Sequence, residues 1–293
     1  MQFNFFDKLK KIKVLIGASN GKIQMHMPDN TVLTTSGHKD RVPRLRKFPN
    51  SDLVLTCSFD STIKLWDERN LTLMRTFVNQ LNSSKNALEI LSNETFACGS
   101  PNGIAFWSIY NETEIKSIDA GSTVYSLKMI TNGILGSGQA DGTVKLWNKT
   151  NGELIKTFKN HFSNVWHLER IDNETIVSAS EDGNIIIRNF ITGQLISNLT
   201  AHTDRVSTLK LISSDLIVTG SWDENIYLWN LTNENPIRTF QGHTGSIYGL
   251  DLLDDETLVS GSFDQTIKIW QISTGKLLRT INTGLNIWSL LIL

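Results

Sequence analysis

Residues 37–67 read GHKDRVPRLRKFPNSDLVLTCSFDSTIKLWD, and residues 242–270 return to the same phrase as GHTGSIYGLDLLDDETLVSGSFDQTIKIW. Each copy opens on Gly-His, passes through alternating apolar residues, turns at Ser-Phe-Asp and runs through a further apolar segment to a Trp. Aligned on the turn residue, the phrase recurs at Asn20, Asp60, Asn102, Asp141, Asp182, Asp223 and Asp264, successive copies lying 39 to 42 residues apart. Six residues on stands a second landmark: His26, Trp66, Trp147, Arg188, Trp229 and Trp270, with Trp107 coming five after Asn102 in the third unit. Self-similarity held this closely is the mark of a repeat array, which forms one body whatever its length.

Each unit holds four short apolar segments. In the unit that starts at His202 they are residues 206–212, 215–221, 225–230 and 236–240. Alternation, β-branched richness and Asn/Asp/Gly punctuation predict strands, and no segment sustains a helical period. A four-stranded meander cannot bury both faces alone, so the units must stack, and radial stacking makes a β-propeller with one blade per unit. The chain enters in mid-phrase. Segments 14–19, 22–27 and 31–35 match the second to fourth strands of a blade, while the missing first strand matches LNIWSLLIL at 285–293. The expectation is an all-β fold of seven four-stranded antiparallel blades. The C-terminal strand joins the N-terminal three and removes two open sheet edges. Residues 1–12 read as a tail and 13–293 as a single domain.

The bulk properties narrow the function. The formal net charge of −1 gives no reason to expect nucleic acid or an anionic membrane as partner. No apolar run approaches the length of a membrane span. The opening MQFNFFDKLKKIK lacks the charge order of a secretory signal. Its Phe3, Phe5, Phe6 and Leu9 read as a tail packed on the domain, with a short interfacial anchor as the other reading. Cys57 and Cys98 lie inside apolar runs with no ligand spacing, so they read as reduced core thiols in a cytoplasmic or nuclear protein. Asn-x-Ser/Thr triplets such as Asn93-Glu94-Thr95 follow from Asn-rich composition.

The chain resembles the WD-repeat β-propeller family over roughly residues 13–293. The match rests on Gly37-His38, Gly242-His243, the Trp-Asp or Trp-Asn pairs at 66–67, 147–148 and 229–230, and the turns at 56–60, 219–223 and 260–264. The resemblance implies a buried network in each blade, running from turn Asp to loop His to Ser/Thr to the Trp indole. It assigns Asp60, His38, Thr56 and Trp66; then Asp223, His202, Thr219 and Trp229; then Asp264, His243, Ser260 and Trp270. Ser58, Ser221 and Ser262 are alternative hydroxyl partners. Other units depart from the pattern. Asn20 and His26 replace Asp and Trp in the first, the third and fourth lack a loop His, and Arg188 replaces Trp in the fifth.

A recurring Ser, His and Asp invites comparison with a hydrolase triad. A triad is unique, exposed and served by an oxyanion hole, whereas this trio repeats and closes on Trp each time, so it reads as a fold device. The six histidines show no metal-ligand spacing, and no Gly-rich loop precedes a helix. No cofactor, metal or catalytic residue is expected. A channel enzyme would need a convergent, non-repeated polar cluster, and the repeat shows none.

Two position classes point instead to a protein partner. The residue before the turn Asp is Ser19, Phe59, Pro101, Ala140, Glu181, Trp222 or Phe263, and three large aromatics at solvent-facing turns mark a binding surface. The residue after the first apolar position of each innermost strand reads Trp288, Pro43, Leu88, Tyr125, Trp166, Ser207 and Tyr248. By resemblance to family members that read peptide tails, this ring borders the channel mouth, where it could hold an extended peptide or stack on a Lys or Arg side chain. The expectation is a monomeric, non-enzymatic scaffold that takes a peptide or loop through Phe59, Trp222, Phe263, Tyr125, Trp166, Tyr248 and Trp288. As an alternative, residues 54–69 resemble the box by which some WD-repeat proteins dock on the propeller adaptor of cullin-RING ubiquitin ligases, which implies contacts through Asp60, Asp67 and Arg69.

Overall fold

The computed structural model describes residues 12–78, 84–159, 161–232 and 235–293. The reading of Phe3, Phe5, Phe6 and Leu9 therefore lies outside the described residues. Twenty-eight strands form seven antiparallel sheets of four, each a blade. Blade six shows the plan: Val206–Leu211 lies innermost, then Leu216–Ser221, Ile226–Asn230 and Pro236–Phe240 at the rim. Blade one is assembled from both ends of the chain. Ile287–Ile292 pairs with Val14–Ala18, which is followed outward by Ile23–His26 and Val32–Thr35. The register sets Val14 against Ile292 and Ile16 against Leu290. No helix among the described residues is long and apolar enough to cross a membrane.

The core is divided into seven clusters, and each straddles two neighbouring blades. Leu55, Phe77 and Cys57 of blade two meet Leu88, Phe96 and Trp107 of blade three. The last cluster joins Val259 and Ile267 of blade seven to Ile16 and Ile287 of blade one. A blade has no core of its own, so at about 1.5–3 kcal/mol per buried large apolar side chain its stability comes from its neighbours. Both thiols are buried in the first of these clusters, and burial pushes the Cys57 thiol up to about 12 and Cys98 well above its ordinary range. They are inert packing groups.

The turn before the third strand is built the same way in blade after blade. The Asp or Asn side chain accepts the backbone N–H two residues on: Asn20 from Lys22, Asp60 from Thr62, Asp182 from Asn184, Asp223 from Asn225 and Asp264 from Thr266. The residue between is left-handed. Gly supplies it at 21, 103, 142 and 183, whereas Ser61, Glu224 and Gln265 hold φ of 74°, 69° and 68°. Gly37 serves a different need, since a Cβ there would stand 2.2 Å from Cη2 of Trp66. The glycine before the loop His is a gap through which the indole packs.

One inner-strand alignment is corrected. In blades four to seven the inner strand slips past its neighbour around its second residue, at Tyr125, Trp166, Ser207 and Tyr248. Blade three is offset from the expected alignment: Gly99, the counterpart of Gly138, Gly220 and Gly261, pairs with Ala87, so the position that matches Tyr125 is Asn86, and Leu88 pairs with Cys98. Leu88 is therefore a buried core residue and does not border the channel mouth.

Candidate functional site

Blades two, six and seven each contain the complete polar chain. In blade two His38 Nδ1 donates to Asp60 Oδ2 at 3.0 Å, Nε2 lies 2.7 Å from Thr56 Oγ1, and Trp66 Nε1 donates to the same hydroxyl at 2.9 Å. Blade six repeats it with His202, Asp223, Thr219 and Trp229 at 2.8 Å throughout. Blade seven repeats it with His243, Asp264, Ser260 and Trp270 at 2.7 to 2.8 Å. With a neutral imidazole the protons have one arrangement: indole N–H to hydroxyl oxygen, hydroxyl O–H to Nε2, Nδ1–H to carboxylate. Burial pushes the turn carboxyls up, but hydrogen bonds from the imidazole, from neighbouring hydroxyls and from backbone N–H groups outweigh it and hold Asp60, Asp223 and Asp264 below the usual range. Ser58, Ser221 and Ser262 are not the imidazole's partners. Each donates to a carbonyl of the His loop (Asp40, Asp204 or Gly245) and accepts the turn Asp N–H. The hydroxyls bonded to His are sealed inside the blade, so no substrate reaches them.

The incomplete blades find substitutes. Blade five keeps His161, Asp182 and Ser178 but sets Arg188 over the Phe158 ring at 5.5 Å. In blade four Gln139 fills the space of the missing His: it donates to Ser137 Oγ at 3.4 Å, and Trp147 Nε1 donates to that hydroxyl at 2.8 Å. In blade one His26 takes the Trp place and bonds Gln24 at 2.7 Å. Trp107 of blade three has a buried N–H with no acceptor among the described residues.

The face that carries the His loops holds the aromatic residues, and the fold brings five of the expected seven into one cluster. Tyr248 stacks on Trp288 with centroids 4.4 Å apart and touches Trp222 at 5.6 Å and Phe263 at 5.9 Å. Phe59 reaches Trp288 from blade two at 6.1 Å. The other two, Tyr125 and Trp166, form a separate pair at 4.5 Å on blades four and five. A concavity of about 460 Å³ opens over the cluster, lined by Trp222, Tyr248, Phe263 and Trp288 with Ser19, Ser246 and Arg41. Phe263 is 38 % exposed, while Phe59, Trp222 and Tyr248 are half-buried. Two arginines already lie on these rings. Arg41 sits 5.5 Å from Phe59 and 5.2 Å from Trp288, and Arg205 sits 4.2 Å from Trp222 while paired to Glu181 at 2.8 Å.

Below the mouth the channel is more polar than the repeat suggests. Arg44 of blade two crosses to blade five, donating to the Trp166 carbonyl at 2.7 Å and to the Pro43 carbonyl at 2.8 Å. Beneath it, equivalent positions on successive inner strands carry alternating charge, paired as Arg46–Glu89 at 3.4 Å, Lys128–Glu169 at 2.5 Å and Lys210–Asp251 at 2.6 Å. Leu291 of blade one interrupts the alternation. Burial, then Arg44, Arg46, Lys128 and Lys210, hold the His167 imidazole well below its ordinary pKa, so it is neutral. Each carboxylate is engaged and each pair ties two neighbouring blades, which is a structural arrangement. Among the described residues no group of three or more His, Cys, Asp or Glu could hold a metal ion.

The sequence profile of the WD domain, G-beta repeat, matches residues 29–67, 152–189, 193–230 and 234–271, more than half of the chain. The chain belongs to the WD40 family. Among solved structures, a computationally designed protein called Ika8 superposes with a TM-score of 0.74 at 27 % identity, covering 94 % of this chain and 85 % of that one. The WD40 β-propeller domain of Doa1 superposes at 0.76 with 24 % identity, covering 86 % of each chain, a likeness of fold. Among curated proteins, LEUNIG_HOMOLOG of Arabidopsis thaliana, a transcriptional corepressor, is 29 % identical over 140 residues, 45 % of this chain and 17 % of that protein. Cilia- and flagella-associated protein 52 of Sus scrofa is 26 % identical over 173 residues, 52 % of this chain and 26 % of that protein. The match thus spans about a quarter or less of the length of these relatives. A WD40 propeller acts as a scaffold for protein–protein interaction, and that is the general role of this chain.

Within the WD40 frame, the three positions of the 54–69 box separate. Asp60 is spent inside blade two, where it accepts from His38, Lys39 N–H and Thr62. Asp67 and Arg69 lie at the other end of strand Thr62–Asp67, roughly 20 Å away at about 3.3 Å per residue. They form an exposed bidentate pair that holds the Asp67 carboxyl at about 2. Sequence reading missed Phe162, 95 % exposed on the loop after His161, and Arg205. Both follow a loop His, at its first and third positions, a signal visible once the loops are aligned.

Proposed function

We propose that this WD40 propeller takes a peptide or exposed loop of a partner protein on its His-loop face, across the aromatic side of the channel mouth. The observation that carries the reading is the contiguous cluster of Phe59, Trp288, Phe263, Tyr248 and Trp222, contributed by blades one, two, six and seven around an open concavity. Phe263 is exposed and Phe59, Trp222 and Tyr248 partly so, over a buried Trp288, and aromatics set in this way on rigid strand ends and turns are what interface hot spots are made of, because they bury large area with little ordering. None of the five is needed by the His–Asp–Trp chains inside the blades. The resemblance to a corepressor and to a cilia- and flagella-associated protein supports a role in assemblies at this general level.

The test is to pan the immobilised protein against a displayed library of random linear peptides and to titrate the selected peptides by fluorescence anisotropy. Trp222→Ala/Phe263→Ala weakens them by at least about thirtyfold, the scale of two hot-spot residues. Met74→Ala, on the exposed rim of blade two, leaves affinity unchanged. Peptides that bind the double variant as tightly as the parent would remove the reading.

A further inference from the structure

The cations that face the mouth and channel divide into those in a close ion pair and those held loosely or by no carboxylate. Arg205, Arg46, Lys128 and Lys210 each have one within 3.4 Å. Two are left, both on the chain entering blade two. Arg41, at the rim, meets only Asp40, at 3.8 Å with both side chains about half exposed. Arg44, in the throat, has no carboxylate in ion-pair range among the described residues and is held by two carbonyls. Burial, with Arg46 beside it, lowers the Arg44 guanidinium to about 10. The indole N–H groups of Trp166 and Trp288 are enclosed without acceptors among the described residues. The mouth therefore holds indole donors without acceptors, and although Asp40, Asp204 and Glu181 lie near its arginines, Arg41 is the exposed cation held most loosely.

Resting on the reading of this face as a peptide site, we propose that the segment it takes is acidic: an Asp or Glu side chain next to a large apolar residue. The apolar residue fills the concavity over Tyr248 and Phe263, and the carboxylate meets Arg41. The arrangement excludes the cationic guest that an aromatic mouth would otherwise invite. Arg41 already covers Phe59 and Trp288, and Arg205 covers Trp222, so a guest Lys or Arg would have to displace a resident cation and face its repulsion. A phosphorylated segment is a poorer match. A phosphate dianion calls for several free cations, whereas Arg205 is neutralised by Glu181, and one guanidinium matches one carboxylate bidentately.

The experiment uses the peptides selected above. They are enriched in Asp or Glu beside an apolar residue, and changing that acid to Asn or Gln weakens binding about tenfold, the scale of one charge-assisted hydrogen bond. Arg41→Gln weakens the acidic peptide by a similar factor and leaves its amide version unchanged, while Arg41→Lys restores part of the loss. Selected peptides that are neutral or basic, a phosphoserine version that binds tighter than the acidic one, or an Arg41→Gln variant that keeps the full charge dependence would each overturn the proposal. The two readings fail differently. Peptides sensitive to Trp222→Ala/Phe263→Ala but indifferent to charge sink only the acidic segment. Peptides indifferent to that double variant sink the site itself. Recovery of no specific peptide overturns both.

Discussion

Blades six and three bury a tryptophan at the same place, and the two tryptophans live differently. Trp229 and Trp107 are both at 0 % exposure, each set in the core shared with the preceding blade. Trp229 donates to Thr219, which is joined to His202 and Asp223. Trp107 donates to nothing, and its blade has Asn102 at the turn and no loop His. Packing is thus what the fold demands of this position. The polar chain is a second layer, fastening the His loop to the blade. The aromatic cluster of the mouth draws on blades two, six and seven, the three with complete chains, and on blade one, whose Trp288 arrives with the closing strand.

The largest break in this comparison removes that strand. Ending the chain at Gly284 strips blade one of Ile287–Ile292 and exposes the apolar faces of blades seven and two. We expect no cooperative thermal transition and an aggregated or expanded species in size-exclusion chromatography. A truncated protein that melts cooperatively as a monomer would show that blades can dispense with closure.

Acid comes next, because it acts on the fastened blades together. The carboxyls of Asp60, Asp182, Asp223 and Asp264 lie below their unfolded values, with burial opposing and the His and backbone hydrogen bonds prevailing; Asp182 lies at about 2. A depressed folded pKa contributes stability above the unfolded value near 3.9 and loses it as pH falls through the folded value. The urea midpoint should decline gently below about pH 6.5, as the unfolded chain protonates the histidines that burial keeps neutral (His26 and His167), and then fall more steeply from roughly pH 4.5 towards pH 2 as these carboxyls protonate. Asp223→Asn/Asp264→Asn lowers stability at pH 7 and flattens that fall. An unchanged acid slope in the double variant would remove these carboxyls from the acid response. Blades one and three, with Asn20 and Asn102 in the turn, have no such group to titrate.

The blade count, the strand spans and the borrowed closing strand were legible because a period of about 41 residues repeats the same alternation, and alternation is what a sheet reads. The His–Asp–Trp chains were legible for the same reason. What stayed hidden is what the repeat does not carry. Leu88 was misplaced because the position matching Tyr125 in its blade is the polar Asn86, which stands before the apolar run that marks the strand in the sequence. Gln139 replaces a histidine that elsewhere comes from the loop before the inner strand, at a position where Ser58 and Ser221 stand in other blades, so its function is visible only once the indole and hydroxyl beside it are in place. Arg44 reaches across the ring to Trp166, 122 residues away, and no pattern along one blade predicts a contact between opposite blades. The mouth was legible as a set of aromatic positions, but its division into a cluster of five and a pair, and the arginines lying on it, follow from three-dimensional neighbours.

The finest test sets the two tryptophans directly against each other. Replacing Trp with Phe removes the indole N–H and part of the ring at either site, so the volume lost is the same and the cavity cost is similar. At Trp229 the change also strips Thr219 of a donor inside a buried network, a loss of about 1–3 kcal/mol for a polar group left unsatisfied. At Trp107 the N–H being removed is itself unsatisfied, so its removal returns part of the cavity cost. Trp229→Phe should therefore lower stability by about 1–2 kcal/mol more than Trp107→Phe, read from urea midpoints at constant slope. Equal losses would mean that the indole N–H is incidental in both blades. The distinction between a packed tryptophan and a fastened one would then collapse.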